Sequence, residues 1–497
     1  MLASLQLRGV TFLLGGLVFA VLATANAAGY RYGVSDQAFY IPVVVRALDP
    51  GAFPRDGALI DAQGRLMLSD EILATVQRAT NVPLDVLFFA AYLLSLGVLW
   101  VGLSLIGTHV YGSPSVTLVL AAAFTLRHRI PQTSANSFEP YFHPRMLAFG
   151  LGTLAIAALL RRRHRVAIAL VGIVAVVHVT TGLWFGVLVG TALMVLDRGW
   201  RRLGVAGLLA VGLGLGWALW LGPLAGRLTF MDDAWLQAVA SKDSLFPSQW
   251  PAWVWAANLG MLALLWWTIR YRVAVGRAQP EDTALAWGAT ALVGVFVATL
   301  PAVAAGQVFL TQLQISRVFW LVDLLATIYL VAALAEWLRD RGRAGTALAC
   351  AVLALSVIRG VYVMTIEHPE RSLFGVRLPT SPWEDAMSWL RRQSRTAHVL
   401  ADPGHGWKQG TSVRVSAQRD VLLEEVKDAA VAIYSREVAT RVVERTQAIG
   451  DFAALTADRA RALASTYDLD FLVTETDLAL PVAYRNTQFR IYQLRTP

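Results

Sequence analysis

The chain has 497 residues, of which 56% are hydrophobic and only 15% are charged, and its mean hydropathy is +0.52. A soluble protein carries about a quarter charged residues, so this composition excludes an ordinary water-soluble enzyme and indicates a protein that lies largely in lipid. The formal charge of +9 arises mainly from arginines in short connectors between apolar runs. That placement encodes membrane orientation and argues against a nucleic-acid surface.

Eleven apolar runs predict membrane-spanning helices, because a crossing needs roughly twenty apolar residues. The first run follows Arg8 and ends in Ala-Asn-Ala-Ala, so a cleavable signal is the alternative to an uncleaved span there. Several runs are short, and short helices with polar ends usually border a cavity inside a bundle. The predicted spans are Val10–Ala28, Pro83–Ile106, Ser115–Leu126, Met146–Leu160, Val166–Val177, Trp184–Leu196, Leu203–Pro223, Ala252–Ile269, Ala284–Val303, Arg317–Leu338 and Gly345–Ile366.

The arginines predict the orientation of these spans. If Arg8 is cytoplasmic, the arginine-rich connectors hold about fourteen arginines with it, against about five cationic residues in the short loops of the other face. The N-terminus is therefore predicted to be cytoplasmic, and the chain to be a multi-pass membrane protein. The connectors are Arg161–Arg165, Asp197–Arg202, Arg270–Asp282 and Arg339–Arg343.

Three of the predicted extracytoplasmic segments then stand out. The first, residues 30–82, is much longer than an ordinary connector. It contains two helical stretches, Gln37–Leu48 and Ser69–Thr80, that are too short to span and are expected to lie along the membrane surface. The second runs from Arg127 to Arg145, and a later one from Gly226 to Pro251.

The composition becomes that of a soluble protein near the C-terminus. We divide the chain into a transmembrane domain (1–366), a linker (367–381) and a small extracytoplasmic α/β domain (382–497). Within that last domain, periodicity predicts helix and strand alternately. The predicted elements are a helix at Trp383–Gln393, a strand at His398–Ala401, mostly helix over Val421–Ala448, and strands at Asp470–Thr474 and Phe489–Leu494.

Asp36 is the first carboxylate after the first predicted span. Above a bundle cavity it could act as general base on an acceptor hydroxyl. Ser35 and Asp36 are also good N-cap residues for the helix that follows. Both roles can hold at once.

The second loop contains the densest extracytoplasmic polar cluster. Glu139, His143 and Arg145 lie within seven positions, and Arg127 is in the same loop. A site for a phosphorylated donor needs a base or metal ligand and a fixed cation, and this cluster supplies both. The alternative interpretation is that these loop residues only form salt bridges with anionic lipid headgroups. His178, at the end of the fifth span, is either a hydrogen-bonded interface residue or a ligand facing Glu139 or His143.

Three further ionisable residues lie at or inside the last two predicted spans. Asp323 and Arg359 have similar depths, near 10 Å at about 1.5 Å per residue, and we expect them to form an ion pair. Arg317 begins the tenth span and is placed to meet a lipid phosphate. The sequence has no Walker, dinucleotide, zinc or nucleophile-elbow motif, which argues against a soluble nucleotide donor.

This layout resembles the GT-C class of polytopic glycosyltransferases. The features that match in order are Asp36, the two surface helices of the first loop, Glu139 and the domain 382–497. More closely, the chain is similar to a group of bacterial membrane proteins of this type, in Asp-Gln-Ala-Phe-Tyr-Ile-Pro from Asp36, Arg-Ala-Leu-Asp-Pro from Arg46, His-Pro-Arg from His143, and Trp383–Trp389. No Asp-x-Asp occurs in the first two outer loops, which leaves the possible divalent metal open.

The resemblance implies a glycosyltransferase with a polyprenyl-phosphate-linked sugar donor, at the outer face of a bacterial inner membrane. Asp36 and Glu139 would be catalytic, with His143 and His178 as candidate metal ligands. The substrate and the lipid phosphate would be bound by Arg145, Arg317, Arg127 and Tyr40. The alternatives are a non-catalytic membrane component of envelope polysaccharide or lipid assembly and a secondary transporter, which the absence of visible inverted halves weakens.

Overall fold

The computed structural model describes residues 2–64, 68–339 and 344–495. Residues 340–343 of the predicted connector Arg339–Arg343, and residues 496–497 of the predicted C-terminal domain, lie outside these ranges. The chain forms two compact units. The span unit comprises Met1–Tyr30, Ala90–Phe230 and Asp243–Phe374, and the α/β unit comprises Arg31–Phe89, Met231–Lys242 and Gly375–Pro497.

The secondary structure is mostly helical. The helices are α1 (Leu2–Asn26), α2 (Gln37–Leu48), α3 (Gly57–Gly64), α4 (Ser69–Thr80), α5 (Leu84–Tyr111), α6 (Pro114–Phe124), α7 (Pro144–Leu160), α8 (His164–Val177), α9 (Val179–Leu196), α10 (Arg198–Trp220), α11 (Asp233–Val239), α12 (Ala252–Ala274), α13 (Pro280–Ala304), α14 (Val308–Gln312), α15 (Val318–Arg339), α16 (Ala344–Tyr362), α17 (Pro382–Arg391), α18 (His405–Lys408), α19 (Val413–Ser416), α20 (Glu425–Ala432), α21 (Arg436–Ile449) and α22 (Ala457–Tyr467). The strands are β1 (Tyr30–Arg31), β2 (Arg129–Ile130), β3 (Ala135–Asn136), β4 (Phe374–Gly375), β5 (His398–Leu400), β6 (Asp420–Val421), β7 (Phe471–Thr474), β8 (Val482–Arg485) and β9 (Arg490–Gln493).

Eight helical segments of the described chain are long and apolar enough to cross a membrane. Three predicted spans correspond instead to the shorter apolar helices α6, α7 and α8, so the count of eleven spans stays a prediction. The eight segments are Gly9–Asn26, Leu84–Tyr111, Val179–Leu196, Arg198–Trp220, Ala252–Ala274, Pro280–Ala304, Val308–Leu338 and Thr346–Glu367.

Helix α10 exposes apolar side chains over almost its whole surface. In the most apolar 18-residue stretch of this helix, only 6% of the residues are buried. Leu213 and Trp220 are 77% and 75% exposed. A contiguous apolar surface of this extent is unfavourable in water and favourable in hydrocarbon. The protein is therefore a multi-pass membrane protein.

The predicted ion pair between Asp323 and Arg359 is wrong. Asp323 Oδ2 lies 2.8 Å from Nδ1 of His128, and Arg359 Nη1 donates to the backbone and side-chain oxygens of Asn26 at 2.8 and 2.9 Å. Equal depth places two side chains only along the membrane normal. The rotation of each helix about its axis decides which neighbour a side chain meets.

The α/β unit contains a five-stranded sheet of order β6-β5-β7-β9-β8. Strands β6, β5 and β7 are parallel, and β9 is antiparallel to β7 and β8. Helix α17 covers a core that includes Val399, Val421 and Ile491. This helix begins where Ser381 accepts a hydrogen bond from the Glu384 N–H at 3.2 Å and Pro382 occupies the first turn, a typical start signal.

The first-loop helices α2, α3 and α4 belong to the α/β unit. The link between the loop and the sheet is made at the edge strand β6, where the Asp420 carboxylate accepts hydrogen bonds from the backbone N–H groups of Arg55 and Asp56 at 3.1 and 3.0 Å. Residues from opposite ends of the chain thus fold together. The compact units follow spatial contact, whereas the predicted domain limits follow chain order.

Candidate functional site

The loop between α6 and α7 is ordered by a short hairpin. Strands β2 and β3 pair antiparallel, with Arg129 opposite Asn136. His128 N–H donates to Ser137 Oγ at 2.8 Å, and Ser137 N–H donates to the His128 carbonyl at 2.9 Å. The hairpin carries Asn136 and then Glu139 toward the start of α7.

Glu139 is a buried carboxylate held by three donors. Its Oε1 accepts from Arg145 Nη2 at 2.8 Å and from Asn136 Nδ2 at 2.9 Å, and its Oε2 accepts from Arg127 Nη2 at 3.2 Å. Glu139 and Arg145 are 4% and 3% exposed. Charge-assisted bonds of this kind are strong where water is excluded. The structure therefore joins three of the predicted site residues in one cluster.

This cluster carries more positive than negative charge. Two guanidinium groups contact one carboxylate, and the Arg145 guanidinium also lies 5.9 Å from the ring centroid of Trp320. Arg317 and Arg145 both act electrostatically on His178. Excess fixed positive charge in a partly buried position is the chemistry that binds a phosphate.

The two histidines predicted as metal ligands have structural roles. His143 Nδ1 accepts the Arg145 N–H at 3.1 Å as the N-cap of α7, and His178 Nδ1 accepts the Thr181 N–H at 3.3 Å as the N-cap of α9. Their ring centroids are 6.3 Å apart. Over the described residues there is no group of three His, Cys, Asp or Glu side chains that could hold a metal ion.

The contacts of Glu139 also do not fit a divalent ion. Its carboxylate oxygens already accept from two arginines and an amide, and a metal would have to displace cations that the fold buries beside it. The metal-ligand roles of His143 and His178 stay predictions.

Asp36 lies in the α/β unit, at the N-cap position of α2, but its side chain makes no capping hydrogen bond. The carboxylate instead accepts from Lys427 Nζ at 2.9 Å. Tyr40, one turn further along α2, is 7% exposed. The N-cap position is confirmed and the capping bond is not, because the backbone of Asp36 is helical (φ −70°, ψ −10°), whereas a capping side chain needs an extended backbone.

Sequence reasoning missed the lysines and the indole beside Asp36. The Lys427 ammonium lies 5.3 Å from the Phe39 ring centroid and 5.5 Å from that of Trp407. Lys242 is electrostatically close to both Lys427 and Asp36. The sequence contains one feature that could have pointed to these lysines, which is that lysine is rare in this protein. Only three of the 43 Lys and Arg residues are lysines.

A buried charge network lies behind Asp36 in the same unit. Asp56 accepts from Arg414 Nε at 2.8 Å, from the Val421 N–H at 3.0 Å and from Arg441. Burial raises the pKa of Asp56, but Arg414 and Arg441 outweigh burial and bring this pKa well below its usual value. Arg414 also donates to both oxygens of Asp428, at 2.5 and 3.1 Å. The network joins the first loop to the C-terminal residues.

Asp36 and Glu139 belong to different compact units. Their predicted catalytic roles stay predictions. Each side chain has its own cation, and each cluster can be tested separately.

The fold and the two clusters define a class, a multi-pass helical membrane protein with an α/β unit. No protein-family model matches the sequence, and no curated protein matches it. Among solved structures, the chain is similar to the Archaeoglobus fulgidus oligosaccharyltransferase in the apo form, with 12% identity, a TM-score of 0.47, and coverage of 93% of this chain and 69% of that one.

Two further structures from the same organism are similar. The oligosaccharyltransferase in complex with Zn and sulfate has 13% identity and a TM-score of 0.47, over 93% of this chain and 67% of that one. The oligosaccharyltransferase AglB in complex with an inhibitory peptide and a dolichol-phosphate has 12% identity and a TM-score of 0.46, over 94% of this chain and 70% of that one.

Proposed function

We propose that this protein is a GT-C-like glycosyltransferase that takes a sugar from a polyprenyl-phosphate donor at the outer face of a bacterial inner membrane. The observation that carries the proposal is the buried cluster of Arg145, Glu139 and Arg127, which bears excess positive charge within the unit of apolar spans. A donor with a long apolar tail and a phosphate headgroup requires this combination of lipid-exposed helices and fixed guanidinium groups.

The proposed roles divide between the two clusters. Arg145, Arg317 and Arg127 bind the donor phosphate, and Glu139 holds two of those guanidinium groups in place. Asp36, whose side chain is 29% exposed, is the base. Tyr40 lies one turn from Asp36 and supports the substrate side of α2.

The reaction is a direct displacement at the anomeric carbon. The acceptor hydroxyl gives its proton to the Asp36 carboxylate while its oxygen bonds to that carbon. The bond from the anomeric carbon to the phosphate oxygen breaks, and its electron pair stays with the phosphate. The arginines stabilise the charge that develops on the leaving group.

A second function is favoured by a specific observation. All three donors to Glu139 come from its own loop and the start of α7, an arrangement that also suits a purely structural clamp. The protein would then be a non-catalytic lipid-binding component of envelope assembly. It would bind polyprenyl phosphate without consuming a donor.

The test uses the full chain in vesicles. Undecaprenyl phosphate carrying radiolabelled mannose, glucose or arabinose is the donor, a bacterial membrane extract is the acceptor source, and release of undecaprenyl phosphate is measured. Loss of a general base costs about 100-fold or more, so we expect Asp36→Asn to lower the rate by at least that factor. Asp458→Asn, a matched change at a side chain that is 94% exposed, should have no effect.

The outcomes separate the two functions. An Asp36→Asn variant with more than half of the wild-type rate would remove Asp36 from catalysis. If the wild type consumes none of the donors yet binds undecaprenyl phosphate in native mass spectrometry, the non-catalytic function is the better one.

A further inference from the structure

The contact between Lys427 and Asp36 has the geometry of a fixed site. Nζ is 2.9 Å from Oδ1 of Asp36, and Lys427 is only 6% exposed. The backbone of Lys427 is tied within α20, because its N–H donates to the Glu424 carbonyl at 3.0 Å. A long flexible side chain that is buried and bonded at both ends has already lost most of its conformational freedom.

Two aromatic rings hold the ammonium in place. Phe39 lies on α2, three residues after Asp36, and Trp407 lies on the short helix α18. Both ring centroids are within 5.5 Å of Nζ, within the range in which a cation is attracted to an aromatic face. The Trp407 side of this arrangement is open, since the residue is 64% exposed.

Helix α18 presents Trp407 rigidly although it is only four residues long. His405 is 1% exposed, with Nδ1 2.7 Å from the Asp402 carbonyl and Nε2 accepting the Val413 N–H at 3.2 Å. Its ring also lies 5.5 Å from that of Trp383 in the core. The exposed indole is therefore held by a buried neighbour.

Lysine is rare in this protein, and its placement is informative. Of the 43 cationic residues, only Lys242, Lys408 and Lys427 are lysines. All three lie in the α/β unit, and Lys408 directly follows Trp407. A compact ammonium fits between two rings and one carboxylate oxygen, where a planar guanidinium fork would need more room.

A second ammonium lies close to the first. Lys242 Nζ donates to the Val426 carbonyl at 2.8 Å. Burial and the charge of Lys427 lower the pKa of Lys242 to about 8, against the opposing effect of Asp36 and Glu425. A divalent cation at Asp36 would have to displace one ammonium and remain beside the other, which Coulomb repulsion disfavours.

We propose that Lys427 is the built-in cation of the Asp36 site, a positioning residue that orients the carboxylate and keeps it ionised without a divalent metal. This inference rests on the proposed function, in which Asp36 accepts the proton of the acceptor hydroxyl. After that transfer, the proton is on Asp36, the ammonium keeps its three protons, and the electron pair of the broken bond is on the donor phosphate.

The test compares three variants of the full chain in the vesicle assay. Lys427→Met removes the charge and should lower the rate at least tenfold and move the acid limb of the pH–rate profile upward by about one pH unit. Lys427→Arg restores the charge and should return the limb to within about 0.3 units of wild type, while the larger guanidinium, which fits this site less well, keeps the rate below that of wild type. Lys408→Met, the matched change at an exposed lysine that bonds Asp402, should leave both rate and profile unchanged.

Two results would overturn the proposal. One is a Lys427→Met variant whose pH–rate profile coincides with that of Lys408→Met. The other is wild-type activity that EDTA abolishes and Mg²⁺ or Mn²⁺ restores, because the required cation would then be a metal.

A spectroscopic measurement separates this proposal from the proposed function. Infrared difference spectra between wild type and Asp36→Asn isolate the carboxylate band of Asp36. In Lys427→Met this band should convert to the protonated form at a higher pH than in wild type, whether or not any donor is consumed. An unchanged midpoint would reject the positioning role even if the enzyme is active, and an inactive wild type with a shifted midpoint would reject only the proposed function.

Discussion

Two carboxylates in this protein are bound by cations in different ways. Glu139, in the span unit, is 4% exposed and contacts two arginines and an asparagine that lie within 12 residues of it in sequence. Asp36, in the α/β unit, has a side chain that is 29% exposed and bonds a lysine 391 residues away. The first arrangement is suited to holding arginines rigidly, and the second to meeting a substrate.

The largest expected effect tests the structural side of this comparison. Glu139→Gln leaves two guanidinium groups beside a neutral amide, and breaking a buried pair costs about 3 kcal/mol or more. We expect a clear fall in the apparent Tm of the detergent-solubilised protein. Asp36→Asn should change this Tm much less, because its site is partly open to solvent.

Glu370→Gln is the matched control for the glutamate change, since Glu370 is exposed and pairs with Arg371 at the surface. It should leave the Tm unchanged. A Glu139→Gln variant as stable as this control would contradict the stabilising role of Glu139 between the two arginines. An Asp36→Asn variant that unfolds would contradict the conclusion that the Asp36 site is partly open to solvent.

An intermediate effect is expected at Glu424, which lies in the buried network behind Asp36. Burial raises the pKa of Glu424 to about 7, with Asp428 adding to the rise and Arg414 opposing it. Between about pH 4.5 and 7 the folded protein therefore holds a proton that the unfolded chain has lost, so this group reduces stability as pH rises. Glu424→Gln should gain about 2 kcal/mol relative to wild type between about pH 5.5 and 7.5.

Thermal unfolding of wild type and variant at both pH values measures this gain. Burial lowers the pKa of His398 and of His405 to about 4, which gives the opposite pH dependence. Both histidines are present in both proteins, so their contribution cancels in the difference. Glu437→Gln, a change on the exposed surface of α21, should show no pH-dependent gain, and an equal gain there would rule out Glu424 as the cause.

The smallest effect concerns the open side of the Asp36 site. Trp407→Leu removes the aromatic face over Lys427, and a cation–π contact contributes about 0.5–1 kcal/mol at an exposed site. We expect about a 2- to 5-fold loss of donor consumption in the vesicle assay. Trp407→Phe keeps a ring and should stay within about twofold of wild type, so equal losses in both variants would show that the aromatic face does not matter.

Local sequence signals predicted the local structure well. Helices Gln37–Leu48 and Ser69–Thr80 have the predicted limits, and the predicted helix at Trp383–Gln393 is observed at Pro382–Arg391. The Glu139 cluster was predicted because its residues are neighbours in sequence. Helices α3 and α22 and strands β6 and β8 were missed, because short half-buried segments carry little periodicity.

Contacts between distant residues could not be predicted in the same way. Lys427 and Asp36 are separated by almost the whole chain, and no pattern around either residue specifies the other. Depth along two helices suggested a pair between Asp323 and Arg359, but the azimuth of each helix gave other partners. Long-range packing, which sequence spacing does not encode, decides such contacts.

The union of the first loop with the C-terminal residues has a consequence for biosynthesis. Asp56 and Arg414 are 358 positions apart, so the loop emerges from the ribosome long before its partners exist. At about 5–20 residues per second, roughly 20–70 s pass between the synthesis of Asp56 and that of Arg414, and during this time the Asp56 carboxylate lacks this partner. The α/β unit has a high contact order and folds after translation is nearly finished, so a late truncation would leave the loop near the N-terminus without a folded partner.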